Sequence, residues 1–237
     1  MNVLLLHAGI GDRRMWAPQV EALEAAGHRA VAPDLPGFGD EPLVPPSVDY
    51  TAFAAERLEE PGAVVGCSFG GRIALELAAA RPELVGALVL VAPGLASTEW
   101  SEETRAAFAE EEELIEAGDL AGAAEQQAGM WLAPDAGASV RELTVAMTVR
   151  SYEQQLPVEG QVSASWPEPS AESTLGEIHC PTLVVTGSAD RPELHEVAAL
   201  LAREVPGARR ETIAGAGHLP SIEQPEELNR LLLDFLR

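Results

Sequence analysis

The 237-residue chain contains no lysine: its fifteen cations are all arginine, set against 38 acidic residues, for a formal charge of −23. A field of that sign repels phosphate backbones, which excludes nucleic acid as a partner. Cysteine is equally scarce. Cys67 and Cys180 make neither a disulfide framework nor a metal quartet. The five histidines (His7, His28, His179, His195, His218) show no His-x-His or His-Glu-x-x-His spacing, so no metal site is expected. No apolar run is long enough to cross a bilayer, which removes the membrane as a partner. The opening residues, Met1 to His7, lack the basic start and full apolar stretch of a secretion signal, so the expected location is the cytoplasm. Aromatic residues are few (5 %), yet 46 % of the chain is hydrophobic and 22 % charged, the balance of an ordinary globular protein with a sizeable core.

What is present is alternation. Val3–Leu6, Arg29–Ala32, Ala63–Cys67 and Ala87–Ala92 read as short strands, with helical spacing between them at Trp16, Val20 and Leu23, at Tyr50–Leu58 and at Gly70–Ala80. Strands that are almost continuously apolar belong to a parallel sheet covered by helices on both faces. The pattern stops between Gly94 and Ile178, a stretch rich in alanine and glutamate with three of the four tryptophans and no convincing strand. We read it as a mostly helical insertion. Alternation then resumes with strands at Thr182–Thr186 and Arg210–Ala214, a helix at Pro192–Glu204, and a final helix begun by Pro225.

The sharpest motif is Gly66-Cys67-Ser68-Phe69-Gly70-Gly71, placed where a buried strand runs into a helix. A Gly-x-Ser-x-Gly at that junction is a nucleophile elbow, so tight that only glycine fits beside the serine. It exposes the hydroxyl near a helix N-terminus whose N–H groups suit a developing oxyanion. Serine needs a base, and the base an orienting acid. His218 follows a strand in Gly215-Ala216-Gly217-His218, and Asp190 lies just past the preceding strand. The alternative for Asp190 is a turn or helix-capping aspartate. The chain order Ser68, Asp190, His218 matches that architecture. One oxyanion donor would be the Phe69 N–H. The second would come from the loop after the first strand, His7-Ala8-Gly9-Ile10-Gly11, in which His7 holds the loop. Arg14 stands where a dinucleotide fingerprint needs its third glycine, and Gly71 is not followed by the Lys-Ser/Thr of a phosphate loop.

On these residues, together with Asp34-Leu35-Pro36-Gly37-Phe38-Gly39, the chain resembles the α/β-hydrolase superfamily over nearly its whole length. The resemblance implies an α/β-hydrolase core at 1–94 and 178–237 and a helical cap at 95–177. It makes Ser68 the nucleophile, His218 the general base, Asp190 its orienter, and Gly9 and Phe69 the oxyanion donors, with no cofactor. Ala8 stands where the family usually has glycine, which leaves Gly9 or Ile10 open as the second donor. The Ala-Gly-x-Gly run with Met15-Trp16 is similar, less specifically, to enol-lactonases and small carboxylic-ester hydrolases. The chain starts at what is usually the third strand. About six parallel strands are therefore expected, with an edge open to homodimerisation. Trp100, Met130, Trp131, Met147 and Trp166 are candidates to line a pocket for a small substrate with an apolar acyl or alkyl group, or else they pack the insertion onto the core. Arg72 and Arg150 are candidate carboxylate anchors, though surface ion pairing is the simpler reading of both. The expected reaction is hydrolysis of a small ester or lactone. The alternatives are cofactor-free haloperoxidase, C–C hydrolase or lyase chemistry on the same triad, or a non-catalytic binding protein of this fold.

Overall fold

The computed structural model describes residues 1–58 and 60–237. In chain order its elements are β1 (Asn2–Leu6), α1 (Ala17–Ala25), β2 (Arg29–Val31), β3 (Ser47–Asp49), α2 (Tyr50–Ala55), β4 (Gly62–Cys67), α3 (Phe69–Ala80), β5 (Val85–Val91), α4 (Glu102–Glu116), α5 (Leu120–Trp131), α6 (Ala138–Gln155), β6 (Ser163–Ser165), β7 (Thr182–Gly187), α7 (Pro192–Glu204), β8 (Arg209–Ile213), α8 (Pro220–Glu223) and α9 (Pro225–Phe235). Six strands form one sheet in the order β2-β1-β4-β5-β7-β8. Every pairing in it is parallel.

The continuous apolar runs divide cleanly between two cores, because successive strand residues point to opposite faces. Leu4, Leu6, Val64, Leu88, Leu90 and Val184 enter one core with Ile73 and Leu77 of α3 and Val197 and Leu201 of α7. Val3, Leu5, Val65, Val89, Val91 and Val185 enter the other with Trp16, Leu23 of α1, and Leu228 and Leu232 of α9. Each such aliphatic side chain contributes about 1.5–3 kcal/mol when fully buried. Neither face has room for polar alternation.

From β1 the chain passes to β2 on one side and then, through β3 and α2, to β4 on the other. Strand order therefore reverses between β1 and β4, and ligands of open α/β sheets bind in the crevice at such a point. The loop at Gly9 leaves the C-terminal end of β1, and Ser68 leaves that of β4.

Helices α4, α5 and α6 stand between β5 and β7; α4 and α5 are begun by the side chains of Ser101 and Asp119, which accept from the Thr104 and Gly122 N–H groups. One expectation needs correcting. The insertion does hold a strand, β6, which pairs parallel with β3 across three residues, Ser47 with Ser163, Val48 with Ala164 and Asp49 with Ser165. Ser163-Ala164-Ser165 is exposed throughout, so it carries no hydrophobic alternation to read. Among the described residues, no helix is long and apolar enough to cross a membrane.

Candidate active site

Ser68 occupies the turn between β4 and α3 with φ 50° and ψ −111°, a left-handed conformation that costs a non-glycine residue about 1–3 kcal/mol. The surrounding backbone imposes it. Ser68 N–H donates to Val91 C=O at 2.9 Å and Gly70 N–H to His7 C=O at 3.0 Å. The flanking glycines leave no alternative, since a Cβ on Gly66 would lie 2.2 Å from Gly70 O and one on Gly70 2.2 Å from Leu6 O. Both obstacles are main chain and cannot rotate away. Gly70→Ala is accordingly expected to lose more than about 4 kcal/mol of stability, the range reserved for severe core clashes. Gly94→Ala, whose Cβ meets nothing within 4 Å, should stay within about 0.5 kcal/mol of wild type in the same denaturant titration.

The β1 loop comes up beside this turn. A Cβ on Gly9 would sit 3.8 Å from the Phe69 Cβ. Among the described residues, neither the Gly9 nor the Phe69 N–H donates to a protein acceptor. His7 braces the loop, as its sequence context suggests. Leu35 N–H donates to its Nε2 at 2.9 Å, which puts the ring proton on Nδ1, 2.8 Å from Ala8 O. Asp34 ties the neighbouring loop by accepting from the Arg13 and Asp40 N–H groups at 2.8 and 3.0 Å.

Complete burial pushes His7 below its usual 6.5, against weaker opposing effects of the Ala8 carbonyl, Asp34 and Asp12. The unfolded chain protonates this residue near 6.5 while the folded protein keeps it neutral. Its contribution to stability is thus complete above pH 6.5 and is lost as the pH falls. Between pH 7.5 and 5.5 the wild type should lose more stability than His7→Gln in urea unfolding. Parallel pH dependences would mean that His7 titrates normally.

Asp190 and His218 meet through their side chains. The imidazole Nδ1 lies 3.2 Å from Asp190 Oδ1 and 3.1 Å from Oδ2. The two side chains are 0 % and 3 % exposed, respectively, so this pair is shielded from water. Asp190 is not the N-cap of α7, a position held by Arg191 without a side-chain cap, although Asp190 Oδ1 accepts from the Arg191 N–H at 2.8 Å. His218 also abuts the elbow, as the Cys67 Sγ lies 3.6 Å from its carbonyl oxygen. Burial pushes the Cys67 thiol well up, reinforced by Asp190 and Glu223, so it stays protonated. Among the described residues no hydrogen bond joins the Ser68 hydroxyl to His218; catalytic contacts commonly tighten only with substrate bound.

The Alpha/beta hydrolase family profile matches residues 3–231. The chain belongs to this family. It is 29 % identical to the Klebsiella pneumoniae (strain 342) protein named "Putative carbamate hydrolase RutD", over 99 % of this chain and 91 % of that one. It is 28 % identical to a pimeloyl-[acyl-carrier protein] methyl ester esterase of Neisseria meningitidis serogroup B, over 99 % and 92 %. Among solved structures, a thermophilic esterase from Thermogutta terrifontis with malate bound superposes with a TM-score of 0.82 at 25 % identity, covering 100 % of this chain and 89 % of the other.

In this α/β-hydrolase the five candidate pocket residues part company. Trp131 lies against the His218 ring with centroids 4.4 Å apart, and Trp100 packs edge-on against Trp131 at 6.0 Å. Trp100 and Met130 line a cleft of about 1210 Å³ that reaches Asp190. Trp166 stands on the other side of Ser68, edge-on to Phe69 at 6.1 Å and stacked with Tyr50 at 6.0 Å. Met147 does not belong with them. It is fully buried among Met15, Ala128 and Leu132, so this apolar residue of α6 packs the insertion onto the core. Arg150 pairs with Glu153 at 3.3 Å as expected, but the Arg72 guanidinium lies 3.8 Å over the Trp166 ring. Sequence reasoning missed Glu223, which accepts from the N–H groups of Gly217 and Leu219 on either side of His218. No side-chain pattern signals it, since its partners are all backbone.

Proposed function

We propose that the protein is a serine hydrolase that cleaves small carboxylic esters or lactones through an acyl-enzyme. The observation that carries this reading is the buried His218–Asp190 pair, 3.1–3.2 Å apart, beside a serine held in a strained turn at the mouth of the sheet. Ser68 Oγ attacks the acyl carbonyl as its proton passes to His218 Nε2, while Asp190 fixes the proton on Nδ1. Negative charge on the tetrahedral oxygen falls to the N–H groups of Phe69 and Gly9, worth about 3–4 kcal/mol per donor in other acyl-transfer enzymes. His218 then gives its proton to the leaving oxygen, the acyl-enzyme forms, and a water activated by His218 releases the acid. Every proton is moved by the chain's own groups or by water.

Helices α4 to α6 are read as the cap, within 95–177. Trp100, Met130 and Trp131 on one side and Trp166 on the other favour an apolar acyl or alkyl group. The names of the relatives, a methyl ester esterase among them, support ester hydrolysis generally. The test is intact mass after treatment with a fluorophosphonate, with peptide mapping. A single adduct on Ser68, absent from Ser68→Ala, is expected, followed by turnover of short-chain p-nitrophenyl esters. A folded wild-type protein that takes no label overturns the reading.

A further inference from the structure

Glu223, the last residue of α8, takes three backbone N–H groups. Its Oε1 accepts from Gly217 at 3.0 Å and from Ala133 at 2.7 Å, and its Oε2 accepts from Leu219 at 2.9 Å. Gly217 and Leu219 flank His218; Ala133 lies just beyond the end of α5. Three N–H donors on one side chain draw on lone pairs of both carboxylate oxygens, which an amide or hydroxyl supplies only in part.

The two segments it joins also touch directly. His218 N–H donates to the Trp131 carbonyl at 2.8 Å, and the two rings lie against each other at 4.4 Å, tilted by 33°. Their backbones run so close that a Cβ on Gly217 would lie 2.5 Å from Ala133 N and 2.6 Å from Trp131 O. On the cap side, Trp131 is itself held. Its indole N–H donates to Gln127 Oε1 at 2.7 Å, the Gln127 amide donates to Glu111 Oε2 at 2.8 Å, and the Tyr152 hydroxyl donates to Glu111 Oε1 at 2.6 Å. Side chains from α4, α5 and α6 therefore converge on the ring that covers His218.

We propose that Glu223 is a positioning residue that clamps the His218 loop to the end of α5, so that the base and the cap keep one fixed relation. The clamp follows from these contacts alone; its effect on Ser68 rests on the serine-hydrolase reading. Loosening it leaves the Asp190 pairing and the apolar walls in place but lets the imidazole drift from the serine.

Glu223→Gln retains one acceptor oxygen, and Glu223→Ala retains none. Both variants are compared with wild type in the rate of fluorophosphonate labelling at Ser68, in kcat and KM on p-nitrophenyl acetate, and in amide hydrogen exchange over 131–136 and 215–223. Glu223→Gln should slow labelling and lower kcat about tenfold, and Glu223→Ala up to about a hundredfold, as sub-ångström to ångström misplacement of a catalytic group does. KM should stay within about two-fold, and exchange should rise in both segments together. Labelling at the wild-type rate in Glu223→Gln overturns the positioning role. Faster exchange confined to 215–223 overturns the clamp. A wild type that takes no label defeats the serine-hydrolase reading instead, and the exchange data still decide the clamp. If Glu223→Ala does not fold, Glu223→Gln carries the comparison.

Discussion

Ser68→Ala is expected to lower kcat by about 10⁶ on any ester the wild type turns over, the loss seen when a triad nucleophile is removed. The residual rate would come from binding and from the N–H groups of Gly9 and Phe69, which the substitution leaves in place. Stability should barely change, because alanine suffers the same strain as serine at φ 50° and, among the described residues, the hydroxyl makes no hydrogen bond to lose. Ser68→Gly sharpens the argument. It should be just as inactive and yet about 1 kcal/mol more stable, since glycine adopts this conformation without a Cβ clash and gives back only part of that gain as chain entropy. Denaturant midpoints together with kcat for the two variants separate a nucleophile from a turn residue. A Ser68→Ala enzyme within tenfold of wild type would place the attacking group elsewhere.

Much of this fold was legible because its two chief signals are strong. Strands covered on both faces must be apolar at nearly every position, so Val3–Leu6 and Ala63–Cys67 stand out whatever their register. The elbow is legible for a steric reason: Gly66 and Gly70 each face a carbonyl oxygen that excludes any Cβ. The Asp34 loop is similar, with Gly39 at φ 51° pressed against the Asp34 carboxylate. What escaped notice lacks a local signature. Strand β6 is made of exposed short residues, joined to β3 by backbone pairing that any sequence supplies. Met147 misled because an apolar residue on a helix announces burial but not the neighbours it is buried among. Glu223 is invisible for a further reason. Its bond to Ala133 spans 90 residues, and nothing about Ala133 marks it as a partner. Trp131 is a pocket candidate in the sequence, while its place over His218 depends on the close approach that Gly217 permits.

Asp190→Asn should lower kcat about 10⁴-fold, the effect of the equivalent change in a serine protease, where geometry survives but the imidazole tautomer is wrong. The carboxylate faces His218 Nδ1 with both oxygens, at 3.2 and 3.1 Å, and so holds the proton on that nitrogen and leaves Nε2 free to accept from serine. An amide in its place can turn its NH₂ group to Nδ1, which moves the ring proton to Nε2 and removes the base. Fluorophosphonate labelling of Ser68 should slow by a comparable factor. The capping alternative predicts instead that turnover and Tm both stay intact. One contact speaks for that alternative, the Arg191 N–H donating to Asp190 Oδ1 at 2.8 Å, and the oxygen of asparagine can keep it. The substitution therefore spares what the start of α7 needs and removes what His218 needs. Lost turnover with an unchanged Tm assigns Asp190 to His218; turnover and Tm both intact return it to the start of the helix.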